Sequence, residues 1–354
     1  MTTATLAKPS TVTVSPFRRF LSRHFRVVVA YVILIVLLSI NIRLNERFFT
    51  PPVITSTFNQ SMTLVFAGMA QTSVVVTGGI DLSVGPIISL SNSLASAIFA
   101  DSPLAIIGVV ALVLAVGALC GLINGLIVVY GRLQPIIVTL ATASIYSGVA
   151  LFLRPRPGGF VPRAYGDLLT GRLSTLLQPA FGEQSLAGSV FDYIPASAIL
   201  LLVVLLGVWI PFRRSRLGLW VYAIGSNQGA AYMSGINVNR TKIAAYVMCG
   251  LFAAIAGLFL TAQTLSGDAT KGGIFTLQSI AVVVLGGTSL FGGSGGVAGT
   301  IAGAFVLPII RSILFFGRID PLQQPLWEGA VILLAVAAGA SRIFTVKNRL
   351  EIMR

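Results

Sequence analysis

The sequence predicts an all-α, polytopic membrane protein of about ten transmembrane helices with both termini cytoplasmic. Three observations predict it. Of 354 residues, 55% are hydrophobic and only 10% charged, at a mean hydropathy of +0.92. A soluble domain carries about 25% charged residues, so this chain has too few to cover its surface in water. Apolar runs of bilayer-spanning length recur along it, and its basic residues favour alternate connections.

In order, the runs are roughly 26–42, 60–77, 84–100, 104–130, 135–153, 194–212, 243–264, 276–291, 296–315 and 325–341. The first, third and eighth are short. Phe20 and Leu21 extend the first, while Arg23 and Arg26 reach back to the interface. Residues 26–341 thus form one transmembrane domain between a basic tail, 1–25, and a second tail, 342–354. With both ends inside, fifteen of the 24 Lys and Arg fall in inner segments and eight, Lys271 among them, in outer ones; Arg311 lies near the outer end of the ninth run. The outer loop 154–193 is rich in Pro and Gly. Its Arg154, Arg156, Arg163 and Arg172 oppose the bias but share the loop with Asp167, Glu183 and Asp192. The inner loop 213–242 is basic at both ends with a small-residue core. No soluble domain is expected, and no cleavable leader: the run 27–42 is followed by Arg43, Glu46 and Arg47 without a small-residue cleavage pattern.

The net charge of +14 is explained by cytoplasmic loops; no aromatic-rich basic domain accompanies it, so no nucleic-acid partner is expected. Cys120 and Cys249 lie in separate apolar runs and read as reduced packing residues, and the one histidine, His24, is in the basic tail. A metal site and a histidine-based catalytic site are therefore not expected.

Between the runs "MTLVFAGMAQTSVVV" and "PIISLSNSLASAIFA" stands "TGGIDLSVG", residues 77–85. Gly78 and Gly79 can break a helix. Asp81 then precedes a new helix, whose free amides its carboxylate, and Ser83, can accept from; Pro86 falls in the first turn, where it costs no helix bond. The bland reading of Asp81 is a cap at a tight turn near the inner face, and the sharper one a proton or cation site. The cap is favoured, because no second acid or histidine lies in the neighbouring spans; Glu328, in span ten, is the other acid inside an apolar stretch. "VVVTGGIDLSVG" (74–85) and "VVVLGGTSLFGG" (282–293) match at 7 of 12 positions, which points to internal duplication near a transport path or to chance recurrence of valines and glycines.

"TGGIDLSVG" with its following helix resembles the signature of ribose-type permease subunits of bacterial ABC sugar importers. So do "GLINGLIVVYGRLQPIIVTLAT" (121–142), "GLWVYAIGSNQGAAYMSGINVNRTKIAAYVMCGLFAAIAGL" (218–258) and "IAVVVLGGTSLFGGSGGVAGTIAGA" (280–304), in the family's order over most of 60–340. The resemblance implies the membrane path of an importer in the bacterial inner membrane. A periplasmic sugar-binding protein would deliver a monosaccharide or polyol. A cytoplasmic ABC ATPase would bind the ATP and Mg, since the chain carries no phosphate loop and no cofactor of its own. A second permease chain, identical or a paralogue, would complete the pair. The family's coupling helix falls on Asn227, Gln228, Gly229, Ala230, Ser234, Gly235 and Ile236; Gln228 stands where many relatives have an acid, which puts a salt bridge there in doubt.

Polar residues within spans are candidates for the substrate path: Gln71, Thr72, Asn92, Asn124, Gln134, Thr139 and Thr142. The competing role of each is hydrogen-bonded packing between helices. The alternative from another class, an ion-gradient-driven secondary transporter, would want a coupled pair of intramembrane acids. An intramembrane enzyme would want a nucleophile with a base.

Overall fold

The computed structural model describes residues 16–181, 189–320 and, beyond these, 322–324, 326, 327, 329, 330 and 333. Most of the tenth expected span, with Glu328, and most of both tails lie outside the described residues. Among those described, extended pairing is limited to the bridges of Gly158 with Gly267 and of Arg172 with Pro195. All other regular structure is helical.

The helices are α1 (Pro16–Leu44), α2 (Pro51–Val75), α3 (Val84–Ile98), α4 (Pro103–Tyr130) and α5 (Pro135–Leu153). The 154–193 loop folds as α6 (Arg163–Thr170), α7 (Leu173–Phe181) and a 3-10 turn, Val190–Tyr193. Then come α8 (Ala196–Arg214), α9 (Arg216–Ser226), α10 (Gln228–Met233), α11 (Val238–Thr264), α12 (Ile274–Leu285) and α13 (Val297–Phe316). A π turn over Leu205–Trp209 interrupts α8 just before Pro211, where the missing N–H must be absorbed.

Six helices are long and apolar enough to cross a membrane by length and composition: α1 from Phe25, α4, α5, α8, α11 and α13. Helix α2 is as long but richer in Thr, Ser and Gln, and it is buried from Ser61 to Val76. It meets protein instead of lipid, so its polar side chains can find partners. Helix α11 packs against α2, α3 and α4 and completes the core. The outward faces of α4, α5 and α8 expose Ile107, Leu119, Leu140, Ile145, Leu202 and Leu206, an apolar belt suited to lipid.

Three details depart from expectation. Helix α2 starts at Pro51, nine residues before the expected 60. Its start signal is Thr50 as N-cap with Pro51 and Pro52 in the first turn. The eighth run, expected over 276–291, is helical only to Leu285; 286–296 is a glycine-rich loop. Third, the α2–α3 break sits partway along α11 and not at its first turn. The 27 residues of α11 give a ruler of ~40 Å. Asp81 faces Cys249, seven residues or ~10 Å beyond Lys242, while Gly257 meets Ile88 and Ser91, and Thr261 meets Asn92.

The connection 265–273, which the sequence placed only through Lys271 in an outer segment, does more than link two spans. Gly267 and Gly158 exchange backbone hydrogen bonds of 2.7 and 2.9 Å. The chain then turns back into the bundle along α3. Asn92 Oδ1 accepts from the Asp268 N–H (2.6 Å), Ser89 Oγ from the Gly272 N–H (3.0 Å), and Gly272 lies against the Gly85 carbonyl. From Ser96 to Gly85 this descent covers eleven residues of α3, ~16 Å. Helix α12 starts at that depth, which is why twelve residues suffice for it.

Candidate functional site: the helix break and the coupling loop

The break begins where Gly78 takes φ +85°, a conformation that other residues rarely adopt. Asp81 is fully buried. Its Oδ1 accepts from the Ser83 N–H (2.8 Å) and the Ser83 hydroxyl (2.6 Å), and its Oδ2 from Cys249 Sγ (3.5 Å). Asn124 Nδ2 donates to Ser83 Oγ (2.8 Å), and Asn124 Oδ1 accepts from the Tyr146 hydroxyl (3.2 Å). The Leu82 N–H donates to Thr139 Oγ1 (3.0 Å). The Gln71 amide, oriented to match, donates to the Asp81 carbonyl (2.9 Å) and accepts from its N–H (3.3 Å). Four helices, α2, α4, α5 and α11, thus hold one non-helical turn, and the backbone groups they satisfy could find no partner in lipid.

One part of the cap reading changes. Ser83 is the N-cap of α3, and its side chain makes no bond to the helix amides. Asp81 acts one step earlier, fixing the N–H and hydroxyl of the capping residue. Asp81→Asn keeps an acceptor for both donors and should shift stability by at most about 1 kcal/mol. Asp81→Leu strands both, at about 1–3 kcal/mol each. Melting of the purified variants checks this order; a proton site would instead lose transport in Asp81→Asn with the fold intact.

The residues considered for a substrate path are placed mostly in packing contacts. Gln71, Thr72, Asn92, Asn124 and Thr139 are fully buried. Thr72 Oγ1 donates to the Gly68 carbonyl (2.7 Å) and lies 2.8 Å from Thr300 Oγ1. Asn92 bridges Thr261, Ser266 and Asp268. Thr142 bonds the Thr139 carbonyl (3.3 Å), and Gln134, at the N-cap of α5, is exposed. The geometry favours hydrogen-bonded packing for the buried set.

The 213–242 loop is two short helices packed beneath this break. The Arg213 guanidinium lies 3.8 Å from the centre of the Tyr222 ring, and the Tyr222 hydroxyl donates to the Gly295 carbonyl (3.2 Å). Gly225 lies so close to the Val76 carbonyl that a Cβ there would overlap it, and the Gly293 N–H donates to the same carbonyl (2.9 Å). The two glycine-rich loops noted in the sequence therefore meet, with the C-terminal end of α9 between them. Asn227 caps α10 through the Ala230 N–H (2.9 Å). Gly235 (φ +81°) ends the turn, and Asn237 caps α11 through the Arg240 N–H (3.0 Å). Ala231 points inward with Ile224 and Val238. Asn227, Gln228, Gly229, Ala230, Ser234 and Gly235 are exposed and Ile236 is half-buried. Gln228 Oε1 accepts from Lys242 Nζ (2.8 Å), so its partner is within the chain. Tyr232 and Met233, inside the segment 225–236 that the resemblance assigns to coupling, are 74% and 88% exposed at the tip, large apolar side chains standing out from a basic polar loop.

A bundle with a buried helix break, joined through close backbone contacts to an exposed short helix on a basic loop, has the architecture suited to a membrane transport subunit of the permease class. A family model described as "Branched-chain amino acid transport system / permease component" matches residues 53–338, and the chain belongs to this family. The ribose import permease protein RbsC of Escherichia coli (strain K12) is 34% identical over 330 residues, 92% of this chain and 98% of that protein. RbsC of Bacillus subtilis (strain 168) is 34% identical over 304 residues, 86% and 88% of the two chains. The fructose import permease protein FrcC of Rhizobium meliloti is 34% identical over 315 residues, 86% and 82%. No solved structure matches the chain. The family places it in the inner membrane as a multi-pass permease and sets aside the ion-gradient carrier.

Proposed function

We propose that the chain is the membrane permease of an ATP-driven importer of a monosaccharide or related polyol. The family description names branched-chain amino acids, yet the relatives matched over most of their length are named for ribose and fructose. Their agreement favours a sugar. In this reading ten spans cross the membrane with both termini in the cytoplasm, and the 154–193 loop faces a periplasmic binding protein. The 213–242 loop faces an ABC ATPase, which binds ATP and Mg and performs all hydrolysis. A second permease chain completes the pair, because paired ATPases need two coupling segments.

The observation that carries the mechanism is the seat of α9. Force on the exposed α10 passes through Ala231 and Ile224 to α9, and Gly225 bears on the Val76 carbonyl at the end of α2. Val76 leads directly into Gly78–Asp81, which sets the start of α3. Rigid, close-packed backbone contacts transmit displacement without a soft side chain to absorb it. A nucleotide-driven movement of the ATPase thus shifts the helix break, and a two-state break can open one side of the path while closing the other.

The test is uptake in proteoliposomes holding the permease, its ATPase and its binding protein. D-ribose or another monosaccharide should accumulate with ATP and be indifferent to collapse of a proton gradient, while L-leucine should not. Leucine uptake would overturn the sugar reading, and uptake that follows the proton gradient without ATP would overturn the importer reading.

A further inference from the structure

The re-entrant segment 265–273 poses a problem that the packing of a single chain does not solve. Its backbone is non-helical and descends ~16 Å beside α3. Such backbone at membrane depth survives only inside protein or beside water. One side is satisfied: Asn92, Ser89 and the Gly85 carbonyl hold it against α3, and Asp268 Oδ1 accepts from the Thr270 N–H (2.9 Å) and hydroxyl (2.7 Å). The other side exposes Thr270, Lys271 and Gly273, and Ile274 and Leu277 continue that face onto α12. Lys271 adjoins Gly272, which packs on the first turn of α3 at mid-bundle. Its stem reaches roughly 6 Å, well short of either interface, so it cannot snorkel out of lipid.

We propose that residues 270–273 form a hydrated wall of the translocation path, with the Lys271 ammonium as a hydrogen-bond donor to a passing polyhydroxyl substrate and the Thr270 hydroxyl oxygen, whose proton is directed at Asp268, as an acceptor. A charged side chain exposed at this depth requires water or protein opposite it, not lipid. The second permease chain closes the far side, and the apolar Ile274 and Leu277 below suit contact with it. This assignment of substrate contacts rests on the importer reading. It adds exposed residues, of which the sequence had placed only Lys271, in an outer segment, to the buried side chains considered from the sequence.

Cysteine labelling tests it. Cys120 and Cys249 are both buried, which leaves a quiet background. Lys271→Cys and, independently, Thr270→Cys are treated with a charged, membrane-impermeant methanethiosulfonate in proteoliposomes of the permease complex without nucleotide. Leu202→Cys on the apolar belt and Phe160→Cys in the 154–193 loop serve as the lipid and water references. The reactive form is the thiolate, which forms in water and not in lipid. A hydrated thiol in Lys271→Cys or Thr270→Cys should therefore react at least about tenfold faster than the one in Leu202→Cys. Labelling of Lys271→Cys should also lower its uptake of radiolabelled D-ribose below that of the same variant left unlabelled. Reaction of both variants as slowly as Leu202→Cys would overturn the proposal. ATP-driven uptake by the wild type is read separately. If that uptake is present while labelling is slow, the wall fails and the importer stands. If it is absent while labelling is fast, the hydrated wall stands and the importer reading fails.

Discussion

Gly121→Leu is expected to unfold or grossly destabilise the protein, whereas Gly108→Leu on the same helix is expected to be nearly silent. Gly117, Gly121 and Gly125 form a stripe at intervals of four on α4. A Cβ at Gly121 would overlap the Tyr246 carbonyl and lie 3.0 Å from Val247 Cα; one at Gly117 would meet the Gly250 carbonyl oxygen at 2.6 Å. The obstacle is backbone of α11, joined at Gly117 by the Ala254 Cβ, and none of these atoms can rotate away. Small residues let helices in lipid approach closely enough for dispersion to hold them, and a leucine separates them along the crossing. Overpacking typically costs about 1–3 kcal/mol and occasionally more, and a leucine driven against backbone belongs at the upper end of that range. Because the Asp81 turn is held jointly by α4 and α11, through Asn124 and Cys249, the break should loosen as well. Nothing lies within 4 Å of a Cβ at Gly108, so a side chain there meets lipid. Thermal melting in detergent decides the matter; equal loss in the two variants would contradict the crossing as described.

The second large effect is expected at the coupling helix. A Cβ on Gly229 meets only Asn227 Oδ1, at 3.4 Å, and the residue is exposed. Gly229→Arg should therefore leave the fold and melting temperature unchanged. In the complex, a long charged side chain on a face that must seat in a groove should abolish docking. Gly235→Arg is less informative, since φ +81° strains any side chain there and a loss would mix folding with docking. Loss of a buried anchor at an interface costs ≥ ~2 kcal/mol, about 30-fold in affinity, and Tyr232→Ala or Met233→Ala should approach this.

Much of the architecture could be read before any coordinates. Runs of about 20 apolar residues mark spans because the bilayer sets their length, and the glycine pair before Asp81 marked a break because few residues tolerate the left-handed φ that Gly78 adopts. The re-entrant segment was not legible. "SGDATKGG" is polar and glycine-rich, the signature of a surface turn, and what draws it inward is a set of long-range bonds to Asn92 and Ser89. The polar candidates in the spans do not by themselves single out a path, for a related reason: residue type says that Gln71 or Asn124 needs a partner, not whether that partner is protein or substrate. The glycines of α4 at intervals of four were not singled out from the sequence, because only the facing α11 backbone gives that spacing its meaning.

The central claim is that an ATPase drives this permease through α10. The most direct measurement is co-purification and nucleotide hydrolysis of the cognate ABC ATPase with wild-type permease and with Gly229→Arg, both confirmed folded by melting. The account predicts that wild type retains the ATPase and couples its hydrolysis to binding protein and sugar, and that Gly229→Arg, equally folded, loses it. Undiminished association and coupled uptake in Gly229→Arg would contradict docking through α10.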